Sequence, residues 1–342
     1  MKAYELLNSF ENIDDKYIME AKNMEKYREK KSGRSRVKYM LIAAIIAVSL
    51  MIITAVAAMN YAGMMDVTQD TPYAVPSGAA EFIETQSAQA DMEDWSCTML
   101  ESLFDATSFT ISVGVSGGDK YVVAPGYCSA GDDVSEIGLP AGQSLGDYAA
   151  QQGKTLLYVD AGIQDRDELG IPTTTLFYKS QSDGEMTIVE TGQKSSSVSV
   201  TQGTCIVTAR IDGQKDETRL ELPFTVKEAA SDVLVYKAEG DNEVAGIRTN
   251  SFKVFQSPAG NSIVFDQEFK FDQELREEFP EELKRMDLDG IDYSEGGWVE
   301  NENGHLEARW SQVKGSFGDT MTLRFISWDN EVMGTVTLIK QK

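Results

Sequence analysis

Gly142-Gln143-Ser144-Leu145-Gly146 matches the G-x-S-x-G pattern that sets a serine nucleophile on a sharp strand-to-helix turn. The chain's one histidine, His305, follows it in hydrolase order, so serine attack with histidine as general base is the first chemistry to weigh. That elbow needs a strand feeding it within alternating βαβ units. Here it follows Gly138-Leu139-Pro140, and a surface turn is the better reading. Zinc-protease helices need two histidines at fixed spacing, which one histidine cannot supply. Asp287, Asp289, Asp292 and Glu295 cluster around Gly290, but a calcium loop begun at Asp287 puts Ile291 at the fifth position and Asp292 where glycine belongs. A solvated acidic turn fits better. Cys97, Cys128 and Cys205 have spacings that match neither a zinc knuckle nor a redox motif. One disulfide with a spare thiol, or three buried thiols, both suit them. With no phosphate-binding glycine loop either, the chain is read as a non-enzyme, with no catalytic, cofactor or metal residue assigned.

The elements around these residues say more. Tyr39–Met59 carries no charge, and Ser49 and Thr54 are its only hydroxyl side chains except the Tyr39 phenol. At about 1.5 Å per residue the run reaches roughly 31 Å, one hydrocarbon core. Lys26, Arg28, Lys30, Lys31, Arg34, Arg36 and Lys38 precede it, and the next charge is Asp66. This asymmetry predicts a single-pass protein of the cell membrane, N-terminus cytoplasmic and C-terminal part extracellular, with the lipid bilayer as a partner. Ala55-Val56-Ala57 resembles a signal cleavage site, but the 38 preceding residues and the length of the run favour an anchor. Of 31 Lys/Arg and 55 Asp/Glu, residues 1–38 hold ten and seven, leaving 21 and 48 beyond. So acidic an exterior excludes nucleic acid as a partner.

Residues 1–38 form the expected cytosolic helical segment. Tyr4, Leu6, Leu7 and Phe10 lie at helical spacing, and Asn12 can cap a second helix with Asp14 and Asp15 in its first turn. So few residues cannot bury their own core, so Tyr4, Leu6, Leu7, Phe10, Ile13 and Ile18 are the candidate partner-binding residues.

Residues 60–93, rich in Ala, Thr, Gln and Ser and without sustained periodicity, read as an extracellular linker. From Trp95 the period becomes two. Phe109, Ile111, Val113 and Val115 alternate with small polar residues, and Thr155–Val159, Thr174–Tyr178, Glu185–Glu190 and Val198–Thr201 read as further strands. Cys205–Ile211 and Thr218–Val226 flank Asp212-Gly213 as a hairpin, with Pro223 placing the second at an edge or on a bulge. The expected fold is a mainly β ectodomain of one or two β-sandwich-like modules, residues 94–229 and 230–342, behind a transmembrane helix at 39–59. The second module carries an expected helical insertion at Gln273–Met286.

Tyr4-Glu5-Leu6-Leu7-Asn8 and Asn12-Ile13-Asp14-Asp15-Lys16-Tyr17-Ile18-Met19-Glu20-Ala21 resemble an N-terminal signature of Gram-positive single-pass membrane proteins. Those proteins are encoded beside extracytoplasmic-function sigma factors and regarded as anti-sigma factors, with β-rich exteriors of unknown function. Leu100–Val115, Gly318-Asp319-Thr320-Met321-Thr322-Leu323 and Met333-Gly334-Thr335-Val336 are similar to strands of that group. The resemblance implies a sigma factor as the cytosolic partner. The zinc-associated members use a His-x₃-Cys-x₂-Cys cluster, and residues 1–38 hold neither residue type, so any such hold works by helix packing without metal. The rival expectation is a cell-surface binding or envelope structural module of unknown ligand. The apolar stripe Tyr4–Ile18 favours the regulator, since a plain tail has no need of Leu6, Leu7 and Phe10.

Overall fold

The computed structural model describes residues 61–342 except 165, 167–170, 172, 173, 196, 197, 259, 270–282, 294 and 301–305. Contacts divide the chain into Met1–Met59 and Asn60–Lys342. The cytosolic helices, all six candidate partner-binding residues and the Tyr39–Met59 span lie outside the described residues. Among the described residues no helix is long and apolar enough to cross a membrane.

The described chain is mainly β. Its first part runs α1 (Met64–Thr68), a 3₁₀ turn (Ser77–Phe82), β1 (Glu84–Thr85), β2 (Gln89–Asp91), β3 (Ser96–Phe104), β4 (Ser108–Ser116) and β5 (Tyr121–Pro125). A second 3₁₀ turn (Val134–Ile137) and α2 (Leu145–Gln151) precede β6 (Thr155–Ile163), β7 (Thr174–Ser182), β8 (Glu185–Gln193), β9 (Gln202–Ile211) and β10 (Glu217–Thr225). Two sheets result. One has the order β1-β3-β4-β8-β7 with β2 added on β3, and the other β10-β9-β6-β5. They share one core, with Phe109, Ile111, Val113 and Val115 of β4 meeting Leu157, Val159, Val207 and Phe224. Alternation on β4 therefore gives the inner face, as expected from period two.

Its outer face is covered as well, which the sequence pattern conceals. Residues 61–93 are not a free linker. Met64, Val75 and Ala79 form a second core with Leu103 and Val189, and Phe82, Ile83 and Phe177 pack against it. The Tyr61 ring lies so close over Gly114 that an added Cβ would sit 2.6 Å from it. The Glu101 carboxylate accepts from the Met64 amide at 2.6 Å and from the Ser112 hydroxyl at 3.4 Å. The apolar residues of this segment show no period because a short helix, a 3₁₀ turn and irregular stretches between them each contribute only a few.

Val198–Thr201, expected as a strand, is loop. Side chains hold its backbone instead: the Lys194 ammonium donates to the Val198 carbonyl at 2.7 Å, and the Val200 amide to Glu228 at 3.1 Å. The β9–β10 hairpin forms as read, with Gly213 at φ +78 in its turn and Pro223 on an edge strand.

The second part contains β11 (Asp232–Glu239), β12 (Glu243–Val244), β13 (Ile247–Ser257), β14 (Gly260–Phe269) and β15 (Leu283–Leu288). β16 (Ile291–Asp292), β17 (Glu295–Glu300), β18 (Leu306–Gly315), β19 (Thr320–Ser327) and β20 (Val332–Lys340) complete it. They form one sheet of order β15-β19-β20-β11-β13-β14-β18-β16, with β12 on β13 and β17 on β18. β15 and β16 stand at opposite ends of that order, yet only Asp289-Gly290 separates them in the chain. The sheet must therefore curl until its ends meet, around a core of its own. Register places Tyr236, Phe252, Phe265 and Trp310 on successive strands, with ring centroids 4.5, 5.6 and 4.8 Å apart. Such cross-strand aromatic pairs add roughly 0.5–1.5 kcal/mol each beyond their burial.

Leu283–Met286, the end of the expected helical insertion, is strand. A register shift between Leu283 and Arg285 sets the buried Leu283 and Met286 three residues apart, the spacing a helix would give. The rest of that insertion lies outside the described residues. The two cores are joined by a Thr107–Ser262 hydroxyl pair at 2.6 Å and by the Arg309 guanidinium donating to the Lys194 carbonyl at 3.0 Å.

Candidate functional site

β5 and β6 pair in parallel, and a parallel pair needs a crossover of about a dozen residues or more. Residues 126–154 make that crossover. It starts at Gly126-Tyr127-Cys128, passes the 3₁₀ turn capped by Asp133, and ends in α2. β5 is the edge of its sheet and β7 the edge of the other, so the start of the crossover lies where the two sheets' edges come together.

A cleft of about 590 Å³ opens there, lined by Gly126, Tyr127, Glu136, Asp160, Leu176, Phe177 and Tyr178. The Tyr178 hydroxyl donates to Asp160 at 2.5 Å, and the Tyr127 hydroxyl to Glu136 at 3.0 Å. The two rings meet edge to face, centroids 5.6 Å apart at 76°. Tyr127 is 65% exposed, unusual for so large a ring with a partner on one side only. A Cβ on Gly126 would lie 2.0 Å from Asp160, so glycine is what lets the carboxylate reach the wall. Burial, then the Asp160 bond, pushes the Tyr178 hydroxyl well above the ordinary phenol range. Desolvation and the Glu136 bond push Tyr127 up to about 12, so both tyrosines stay protonated donors. Beneath them, burial pushes the Cys128 thiol up to about 11, with Glu136 and Asp132 adding to it.

The sequence motifs fall elsewhere. Ser144 is the N-cap of α2, its hydroxyl accepting from the Asp147 amide at 3.1 Å, and no strand feeds it. Capping explains a serine at this spacing without a nucleophile. His305 lies outside the described residues. In the acidic turn, Asp287 pairs with Arg285 at 2.9 Å, Asp289 pairs with Arg324, and Gly290 takes φ +74. Among the described residues no group of three His, Cys, Asp or Glu could hold a metal ion. All three cysteines are buried free thiols, which selects the second of the two readings above. Sequence reasoning missed the cleft. Its one local signal was Gly126-Tyr127 directly after the apolar run Tyr121–Pro125.

A solved structure described as the conserved domain protein from Bacillus anthracis is similar to this chain at 13% identity, covering 82% of this chain and 98% of that one, with a TM-score of 0.43. No protein-family model and no curated protein matches the chain.

Proposed function

We propose that this chain is a membrane-anchored regulator whose cytosolic residues 1–38 hold an extracytoplasmic-function sigma factor and whose exterior β-sandwich-like modules sense or gate that hold. One observation carries the reading: Tyr39–Met59 is uncharged over a bilayer's length and has seven cations on its N-terminal side only. The apolar stripe Tyr4, Leu6, Leu7, Phe10, Ile13 and Ile18 supports a protein partner, because acidic Glu5, Glu11, Asp14, Asp15 and Glu20 suit a bilayer surface poorly. Burial of one leucine or phenylalanine contributes roughly 1.5–3 kcal/mol. Leu7→Asp or Phe10→Asp therefore weakens the hold at least tenfold and raises sigma-dependent transcription in cells. Unchanged transcription in both variants, at normal protein level, overturns the reading. The cleft at Tyr127 and Tyr178 supports the second reading, a surface binding module, in which the same variants leave transcription alone.

A further inference from the structure

We propose that the cleft between β7 and the β5–β6 crossover binds an organic ammonium group. The argument rests on which hydrogen-bonding roles the wall leaves open. Tyr127 and Tyr178 each spend their single O–H on a carboxylate, Glu136 and Asp160. What faces a ligand is then acceptor lone pairs and ring faces, and none of the seven lining residues has a cationic side chain. Asp160 and Glu136 form no ion pair with Lys or Arg among the described residues; their side-chain partners there are the tyrosine hydroxyls. Two carboxylates without a countercharge, beside two aromatic rings, form a site with negative charge and negative ring faces and with no complementary donor.

A neutral sugar needs donors as well as acceptors, and this wall has none to spare from its side chains. An ammonium group needs only acceptors and ring faces. A metal ion needs three or more ligands converging on one point, and no such group exists among the described residues. Leu176 and Phe177 supply apolar wall for the carbon atoms that an alkyl- or quaternary ammonium carries. Tyr127, being 65% exposed, forms an open rim that a ligand can cover without any rearrangement of the core. The charge of the chain beyond residue 38, 21 Lys/Arg against 48 Asp/Glu, draws cations towards it.

This deepens the sensing reading above and rests on it for the consequence of binding. The test needs no sigma factor, so either idea can fail alone. The full chain, placed in phosphatidylglycerol nanodiscs that carry no amine or choline lipid, is titrated with choline. The titration is followed by saturation-transfer NMR against the neutral isostere 3,3-dimethylbutan-1-ol and against N-acetylglucosamine. The expected result is saturable choline binding, at least tenfold tighter than the isostere and weakened by added salt. Tyr127→Ala and Glu136→Gln each weaken it at least tenfold at an unchanged melting temperature, and both residues are exposed enough to be replaced without unfolding the sheet. Equal binding of choline and isostere, tighter binding of the sugar, no binding of choline, or full affinity in both variants overturns the proposal.

Discussion

Replacing Lys194 by methionine tests how the two cores are held together. Its side chain is 1% exposed and its ammonium lies 2.9 Å from Glu228, which is 25% exposed. It also donates to the Ala106 and Val198 carbonyls at 3.2 and 2.7 Å, while its own carbonyl accepts from Arg309. Lys194→Met keeps the aliphatic stem and removes only the charge and its three donors. Breaking a buried pair from one side costs about 3–5 kcal/mol. Glu228 is partly hydrated and keeps the Val200 amide at 3.1 Å, so the low end, about 3 kcal/mol, applies. At roughly 2–4 °C per kcal/mol for a unit of this size, the melting temperature should fall by about 6–12 °C. Thermal unfolding of the full chain, followed by near-ultraviolet circular dichroism, reads this directly. Lys120→Met, at the solvent-exposed pair with Asp94, is the control and should leave the melting temperature unmoved. Lys194→Met with Glu228→Gln should melt above Lys194→Met alone, because it leaves no stranded charge. A Lys194→Met curve that overlays the wild type would refute the reasoning.

Two further outcomes follow from buried titratable groups. Burial pushes Cys97 and Cys128 up to about 12 and 11, and Cys205 higher still, so at mildly alkaline pH the folded chain should take up no iodoacetamide and the denatured chain three equivalents by mass. Rapid labelling of the native protein, or fewer than three adducts after denaturation without reductant, would count against three buried thiols. Glu190 is 1% exposed, and its burial, opposed by Arg166 at 2.6 Å and the Ile163 amide, raises its carboxyl above the ordinary range. The folded chain then holds a proton that the unfolded chain releases, so this residue's contribution is largest at low pH and declines as pH rises through the folded value. The stability difference between wild type and Glu190→Gln should therefore shift in favour of wild type on acidification from about pH 7 towards pH 4, and a constant difference or the opposite slope would refute the sign.

Strands with an apolar residue at every second position were legible. Phe109–Val115 and Cys205–Ile211 are examples, because period two needs only one buried face to show. Three kinds of residue hid the rest. Thr110, Ser112 and Gly114 look solvated in sequence but are buried: the Tyr61 ring covers Gly114, Ser112 bonds Glu101, and Thr110 bonds Thr191 at 3.1 Å. Tyr121–Pro125, buried at every position, has no alternation to read, as expected for a strand in a parallel pair covered on both faces. A bulge at Leu283/Arg285 imitates helical spacing in β15. Each failure is a long-range contact imposing burial that the local pattern does not encode.

The cleft was illegible for a related reason. Gly126, Glu136, Asp160 and Tyr178 span 53 positions and share no motif, and the parallel pairing of β5 with β6, together with the packing of β7 from the other sheet, brings them to one wall. An antiparallel partner for β5 would return through a short hairpin, and nothing would cross the end of the two sheets. The parallel arrangement instead sends residues 126–154 over that end, where irregular backbone can present side chains past a rigid edge. Gly126 fixes the geometry, since any Cβ there would push Asp160 off the wall and away from the Tyr178 hydroxyl. Burial also favours a paired carboxylate over a free one, so the half-buried Asp160 keeps the Tyr178 hydroxyl rather than turning to water. The topology that makes the crossover necessary thus also assembles the wall on which Tyr127 and Tyr178 meet their carboxylates.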